Sequence, residues 1–240
     1  SIIYLMQLFY NPSIDKDTKQ ITFDKIESRH IVKVLRKKEG DQIYITNGKS
    51  QLFVCQITMA NDKKCLAVIF SKEEKQKLRD YYLHVAIAPT KNNDRFEWFL
   101  EKATEIGIDE ITPIICQNSE RKVIKTERLE KIILSAMKQS LKFHLPKLNE
   151  AITFSEFLQS ERNEKICIAH CDEGDKKLLK EVVKPKETVT ILIGPEGDFS
   201  PSEISKSMTS KCIPITLGEA RLRTETAALV AVQNISFINQ

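Results

Sequence analysis

Glycine is scarce in this 240-residue chain, seven in all, and no three of them stand as G-x-G-x-x-G, so the usual dinucleotide-binding turn is absent. The P-loop, H-E-x-x-H and G-x-S-x-G patterns are missing too, which removes the common signatures of nucleotide triphosphatases, zinc proteases and serine hydrolases. No run approaches the ~18 uninterrupted apolar residues of a membrane span. The start of the chain lacks the charged-then-apolar build of a secretory signal, so a cytoplasmic protein with no membrane partner is expected. Six cysteines (Cys55, Cys65, Cys116, Cys167, Cys171 and Cys212) lie mostly inside apolar runs, where a thiol acts as a small hydrophobe. A disulfide framework is not expected at this length. Cys167, His170, Cys171 and Asp172 make the one suggestive ligand cluster. No second ligand pair follows at zinc spacing, so they are read as a strand end and no metal is expected.

What is present points to two domains with different partners. Net charge is +4, but residues 1–80 carry 15 Lys and Arg against 10 Asp and Glu, while the remaining 160 carry 22 against 23. A basic N-terminal third on a neutral remainder suggests that the first part meets a polyanion. From Met6 to about Ser71 the pattern is mostly short strands: 42–46 and 50–57 flank Asn47-Gly48, a strong hairpin signal, and 66–70 supplies another. A small β-barrel is expected over 1–72. Between its early strands, residues 28–38 read as a helix on which Arg29, Lys33, Arg36 and Lys37 recur at three- and four-residue spacing and share a face. Such a face is either solvated or an RNA phosphate contact, and the charge imbalance with Tyr44 and Phe53 nearby favours RNA. Residues 72–80 are polar or charged but for Leu78, so a linker is placed at 73–82. The five residues ahead of Met6 carry no fold expectation.

From 83 the pattern alternates: strand 83–88, helix 94–106, strand 110–116, helix 126–140, a short helix near Ser155, strand 165–169. An α/β domain with a mainly parallel sheet is expected over 83–240. Two further strand, glycine, helix units close the chain. Strand 189–193 stops at Gly194 and strand 213–217 at Gly218. After the first, Ser200 is the expected N-cap, Pro201 the first helical residue and Glu203 the partner in a capping box. After the second, Thr224 is the expected N-cap, with Glu225 in the first turn where the helix dipole favours an acid. Two such units side by side make a crevice at the carboxyl ends of parallel strands, where open α/β sheets bind ligands. Gly194 and Gly197 around Pro195, and Gly218 in the second loop, let backbone approach a ligand closely.

These stretches, I-G-P-E-G-x-F-S at 193–200 and L-G-x-x-x-L-R-T-E-T-A at 217–227, resemble the ribosomal RNA small subunit methyltransferase E family, of the SPOUT class. The resemblance extends to H-x-x-x-V-L-R-x-x-x-G-D at 30–41, K-A-T-E-I-G at 102–107, I-T-P at 111–113, S-E-R at 119–121 and Q-S at 139–140. The chain departs where the family usually has a second glycine, here Asp198, and an arginine after Q-S, here Leu141-Lys142. The resemblance implies a PUA-like RNA-binding barrel, a trefoil-knotted α/β domain, a homodimer, and S-adenosylmethionine as cofactor without a metal. It implies methyl transfer to N3 of a uridine in 16S rRNA of the small ribosomal subunit. The cofactor is then expected on Leu192, Gly194, Glu196, Gly197, Leu217 and Gly218, with Leu222 over the adenine and the Thr224, Thr226 and Ala227 turn offering free helix N–H groups. Arg223 is the candidate stabiliser of the uracil anion. Glu225 is either the base or a helix-dipole residue, and Arg121 a contact for RNA phosphate or the partner's site. The rival readings are a non-catalytic RNA-binding assembly factor, and methylation of a ribose 2′-OH or of transfer RNA.

Overall fold

The computed structural model describes residues 7–75 and 79–240; residues 1–6, and 76–78 in the middle of the expected linker, lie outside the described residues. The chain divides into two compact units, one of residues 1–78 with 137–145 and one of 79–136 with 146–240.

The first unit holds β1 (Leu8–Tyr10), β2 (Gln20–Thr22), α1 (Lys25–Arg29), β3 (Gln42–Thr46), β4 (Gln51–Met59) and β5 (Leu66–Glu74). The strands form one sheet in the order β1-β3-β4-β5-β2, parallel between β1 and β3 and antiparallel elsewhere. Register shifts at Val54/Cys55 and Ile57/Met59 bend β4, as bulges do. The sheet curls over Phe9, Phe23, Ile43, Phe53 and Ile57. Among the described residues β1 and β2 do not pair with each other, so the expected barrel is a half-barrel.

The expected helix over 28–38 is displaced. Asp24 caps α1 by accepting the Glu27 N–H at 2.8 Å, and α1 runs into a π-helical turn, His30–Val34. Arg36 then takes a left-handed φ of 55° and ends the helix. Buried Ile31 and Ser28 fix this turn: the Ser28 hydroxyl donates to the Phe23 carbonyl and accepts the Cys65 N–H at 2.8 Å. Arg29 and Lys33 therefore stay on helical backbone while Arg36 and Lys37 lie past its end, so the four cations do not share one helix face. The Asn47-Gly48 loop is also larger than a two-residue turn. Ser50 donates to the Phe143 carbonyl at 2.8 Å and Leu145 to the Gly48 carbonyl at 2.9 Å, so residues 143–145 lie along the loop. Gly48 has φ 72°, and a Cβ there would meet Tyr10 at 3.0 Å and Leu145 at 3.1 Å. This docking is why 137–145 joins the first unit.

The second unit contains β6 (Tyr82–Ile87), α2 (Asn93–Ile106), β7 (Glu110–Ile115), most of α3 (Thr126–Gln139), β8 (Lys147–Leu148), β9 (Ile152–Thr153), α4 (Phe154–Gln159) and β10 (Lys165–Ala169). It continues with β11 (Lys177–Leu178), α5 (Leu179–Val182), β12 (Thr188–Ile193), α6 (Pro201–Thr209), β13 (Ile213–Thr216) and α7 (Thr224–Ile238). The sheet order is β11-β13-β10-β12-β6-β7-β8, every pair parallel, with β9 beside β7. The central strands are buried on both faces and read as near-continuous apolar runs. One face of the domain packs α2 on α7, and α7 on β6 and β12. On another side Leu192, Ile168 and Ala86 join Phe154, Phe157 and Phe199 in one core cluster.

At the N-terminal end of this sheet His84 is 1% exposed within a polar network. Arg162 Nη1 donates to His84 Nδ1 at 3.0 Å, and His84 Nε2 lies 2.7 Å from the Thr112 hydroxyl. An imidazole that accepts from a guanidinium is neutral, with its proton on Nε2. Burial, with Arg162 alongside, pushes His84 down to about 4. Asn149 donates to Glu110 and Thr112, Tyr82 donates to Glu110, and Thr190 donates to Glu164, which also pairs with Arg162 at 3.2 Å.

Candidate active site

Strands β12, β10 and β13 are adjacent, and their register places Ala169 beside both Ile193 and Ile215. Their carboxyl ends therefore stand at one level, and β6 joins them through Ile87 beside Ile193. The loops that leave these ends enclose a cleft of about 1050 Å³. Two of its walls are the loops after β12 and β13. The sequence alone did not anticipate the floor: His170 and Cys171 follow the central strand β10, and Arg95 projects from the first turn of α2.

The first wall is held from several sides. Ser200 and Glu203 form the expected capping box with Pro201 in the first turn of α6. Glu203 also accepts the Gln117 N–H, and Asn118 donates to the carbonyls of Gly197 and Asp198 at 3.2 and 3.1 Å. Asp198 takes a left-handed φ of 61°, tolerable for an aspartate. Its carboxylate accepts the Phe199 N–H and the Cys171 N–H, both at 2.8 Å, which ties this loop to the one after β10. A glycine supplies the backbone freedom there but not that tie. The second wall turns at Gly218, φ 115°, where an added Cβ would meet nothing within 4 Å. The Thr224 hydroxyl donates to the Gly194 carbonyl at 3.0 Å and so joins the two walls.

The electrostatics of the cleft are uneven. Lys176 donates to the carbonyls of His170 and Asp172, and Glu196 accepts the Lys91 N–H at 2.8 Å. Among the described residues the buried Nδ1 of His170 has no hydrogen-bond partner, and burial, with Lys176 beside it, lowers its pKa. Burial and the neighbouring Asp198 carboxylate raise the Cys171 thiol. Glu225 has a side chain only 10% exposed, and Arg95 Nε lies 3.8 Å from its Oε1. Among the described residues no group of three or more His, Cys, Asp or Glu is placed to hold a metal. No helix among them is long and apolar enough to cross a membrane.

Comparison with known proteins places this arrangement. The family described as RNA methyltransferase domain matches residues 62–236, and the one described as RNA methyltransferase PUA domain matches 23–70. Ribosomal RNA small subunit methyltransferase E of Buchnera aphidicola subsp. Acyrthosiphon pisum is 31% identical over 91% of this chain and 88% of its own length. The chain belongs to the ribosomal RNA small subunit methyltransferase E family. A probable rRNA-methyltransferase from Porphyromonas gingivalis superposes with a TM-score of 0.90 at 40% identity, over 98% of each chain. A methyltransferase from Legionella pneumophila, described in complex with the bound cofactor SAM, superposes with a TM-score of 0.86 at 26% identity, again over 98% of each.

For this family member, Gly194, Glu196, Gly197, Leu217, Gly218, Leu222, Arg223, Thr224 and Ala227 all line the cleft. Leu192 does not: it lies inside the ladder, paired with Ile168 and Ala86, with its side chain in the core. Thr226 is half-buried beside the cleft but not on its lining. The N-cap of α7 is Arg223, not Thr224, because the Thr224 hydroxyl is engaged across the cleft by Gly194. The Ala227 N–H already donates to the Arg223 carbonyl, so the unengaged donors of this turn are those of the residues before it. Glu225 is buried against Arg95 rather than lining the cleft. Arg121 donates through Nε to the Thr90 carbonyl at 3.1 Å and through Nη2 to the Lys91 carbonyl at 3.0 Å, so it braces the approach to α2. No spacing rule marks Arg95, and His170 stood only in a cluster read as a strand end; the tertiary structure brings both to the cleft.

Proposed function

We propose that this protein methylates N3 of a uridine in 16S rRNA of the small ribosomal subunit, with S-adenosylmethionine as donor and no metal. The observation that carries the reading is the cleft at the ends of β12, β10 and β13, walled by the two loops that bear the family's motifs. The residues fit such a cofactor. The strand-end backbone around Gly194 and Gly218 suits an adenine edge, Leu222 an adenine face, and the unengaged N–H groups at the start of α7 a polar tail. Open space beside Gly218 leaves room that a side chain would take. Such a cofactor, held there, would supply an electrophilic sulfonium methyl and would leave as a neutral thioether once N3, its proton gone, has taken that methyl. The protein's own task is to orient the uracil and to favour its anion.

In this reading residues 1–72 form the RNA-binding PUA-like part, 73–82 a linker and 83–240 the methyltransferase part. Arg29, Lys33 and Arg36, which are exposed, and Lys37, which is half-buried, are offered to phosphate. Residues from β12 to α7 form the trefoil knot of the SPOUT class, which is supported by β10 lying between β12 and β13 while α7 returns to pack on β6 and β12. The protein works as a homodimer in the cytoplasm; exposed Trp98 on α2 and Phe237 on α7 support a partner on those helices. The test is calorimetric titration with S-adenosylhomocysteine, followed by mass spectrometry of 16S rRNA from small subunits incubated with the protein and S-adenosylmethionine. Micromolar binding and one new N3-methyluridine are expected. Binding without transfer to small subunits would favour an assembly factor, and a product methylated on ribose or on transfer RNA would move the substrate.

A further inference from the structure

The uracil N3 proton is lost only above neutral pH, so a group that stabilises the anion needs donors fixed in place before the base arrives. Two arginines that line the cleft differ in this respect. Arg223 is exposed at the N-cap of α7 and makes no side-chain capping bond. Arg95 is 40% exposed but held from behind, with Nε beside the buried Glu225 carboxylate at 3.8 Å. An ion pair through Nε leaves the two Nη groups, with four N–H donors, for a ligand. The backbone that carries Arg95 is fixed as well. Arg121 holds the carbonyls of Thr90 and Lys91, Glu196 holds the Lys91 N–H, and Asn92 caps α2 by accepting the Asp94 N–H. Among the described residues Glu225 has this one ion pair and no capping hydrogen bond from its side chain, and the pair explains a buried carboxylate beside the cleft better than the helix dipole alone.

We propose that Arg95 is a catalytic residue whose Nη groups hydrogen-bond a uracil carbonyl oxygen as N3 loses its proton, and that Glu225 is the positioning residue that fixes its guanidinium. The assignment rests on the functional reading above. The other charges facing the cleft do not duplicate this role. Glu196, Asp198 and Lys176 are engaged by backbone groups, while Glu219, Arg221 and Arg223 stand exposed on the second loop, where Arg221 and Arg223 suit RNA phosphate. In the step itself the N3 proton passes to solvent, the negative charge spreads onto the carbonyl oxygens, and the N3 lone pair takes the methyl carbon as that carbon's bond to sulfur breaks, its electron pair staying on sulfur.

The test compares the parent with Arg95→Gln, Arg95→Lys and Glu225→Gln in single-turnover methylation of unmethylated small subunits across pH. A second substrate is small subunits from cells grown with 5-fluorouracil, whose N3 proton is more acidic. Affinity for S-adenosylhomocysteine and thermal melting are measured alongside. Arg95→Gln is expected to be slower by about 100-fold at pH 7, with the rising limb of its profile displaced upward by about one pH unit. Its affinity for S-adenosylhomocysteine stays within threefold, and its deficit falls below tenfold on the fluorinated substrate. Arg95→Lys and Glu225→Gln fall between. A parent-like limb for Arg95→Gln, or an equal deficit on both substrates, overturns the catalytic role and leaves Arg95 as packing. Loss of S-adenosylhomocysteine binding overturns it in favour of a cofactor contact. A parent that transfers no methyl group overturns the functional reading and this assignment with it, whereas an active parent with a normal Arg95→Gln overturns this assignment alone.

Discussion

The two ends of the parallel sheet in the second unit solve opposite problems. At the N-terminal end His84, Glu110, Thr112, Asn149, Arg162, Glu164 and Thr190 satisfy one another in a closed network under Phe157, over whose ring Arg162 lies at 4.8 Å. At the carboxyl end the strands open into loops with left-handed backbone at Asp198 and Gly218 and, among the described residues, a His170 nitrogen with no partner and a buried Glu225 with a single ion pair. The closed end rigidifies the strands; the open end keeps donors, acceptors and strain in reserve for a ligand. Stability and binding should therefore separate by end.

The largest effect is expected at the closed end. Arg162→Ala strips the cation from Glu164 and Glu110 and the donor from His84, and should cost ~3 kcal/mol. Thermal melting would show this, while affinity for S-adenosylhomocysteine stays within threefold; a large loss of that affinity would couple the two ends and break the contrast. Next comes pH. A histidine at about 4 when folded and near 6.5 when unfolded makes the unfolded state bind more protons between those values. Stability is then full above pH 6.5 and falls as pH drops toward 4, by up to ~3 kcal/mol, and His84→Gln should flatten that limb in melting curves taken from pH 8 to 4.

At the open end Gly218→Val forces a β-branched residue into φ 115° with no steric clash, costing ~2 kcal/mol. Calorimetry should show S-adenosylhomocysteine binding weakened by at least tenfold in a protein that still folds. Gly194→Val is different: a Cβ there meets the Phe199 ring at 3.1 Å, so folding suffers as well as binding. An equal outcome for the two glycines would mean that the clash with Phe199 is relieved. The smallest change is expected for Asp198→Gly, which removes the strain at φ 61° and the two N–H bonds together. The terms offset to within ~1 kcal/mol, and melting should move by only a few degrees.

Short-range signals carried much of the fold. The apolar runs of β10 and β12, the capping box at Ser200 and Glu203, and the helix expected over 94–106 were all legible because each depends on residues within a few positions. The candidate site was half legible for the same reason: the walls at 194–200 and 217–227 carry their own glycines, and the first its own cap. The bracing by Arg121 was not legible, since a cation in a polar stretch gives no sign that its donors reach the carbonyls of Thr90 and Lys91, thirty residues back.

The sequence by itself determined where strands and helices form, where the polypeptide must turn, and which loops can come close to a ligand, because hydrophobic period, caps and glycine act locally. Only the tertiary structure decided the rest. It placed β10 between β12 and β13, so that His170 became a floor, and it set Arg95 against Glu225 across more than a hundred residues. It laid 143–145 along the Asn47-Gly48 loop, and it ended the basic helix at a π-turn fixed by Ile31 and Ser28. These outcomes depend on strand order and on buried partners distant in sequence, which no local periodicity encodes.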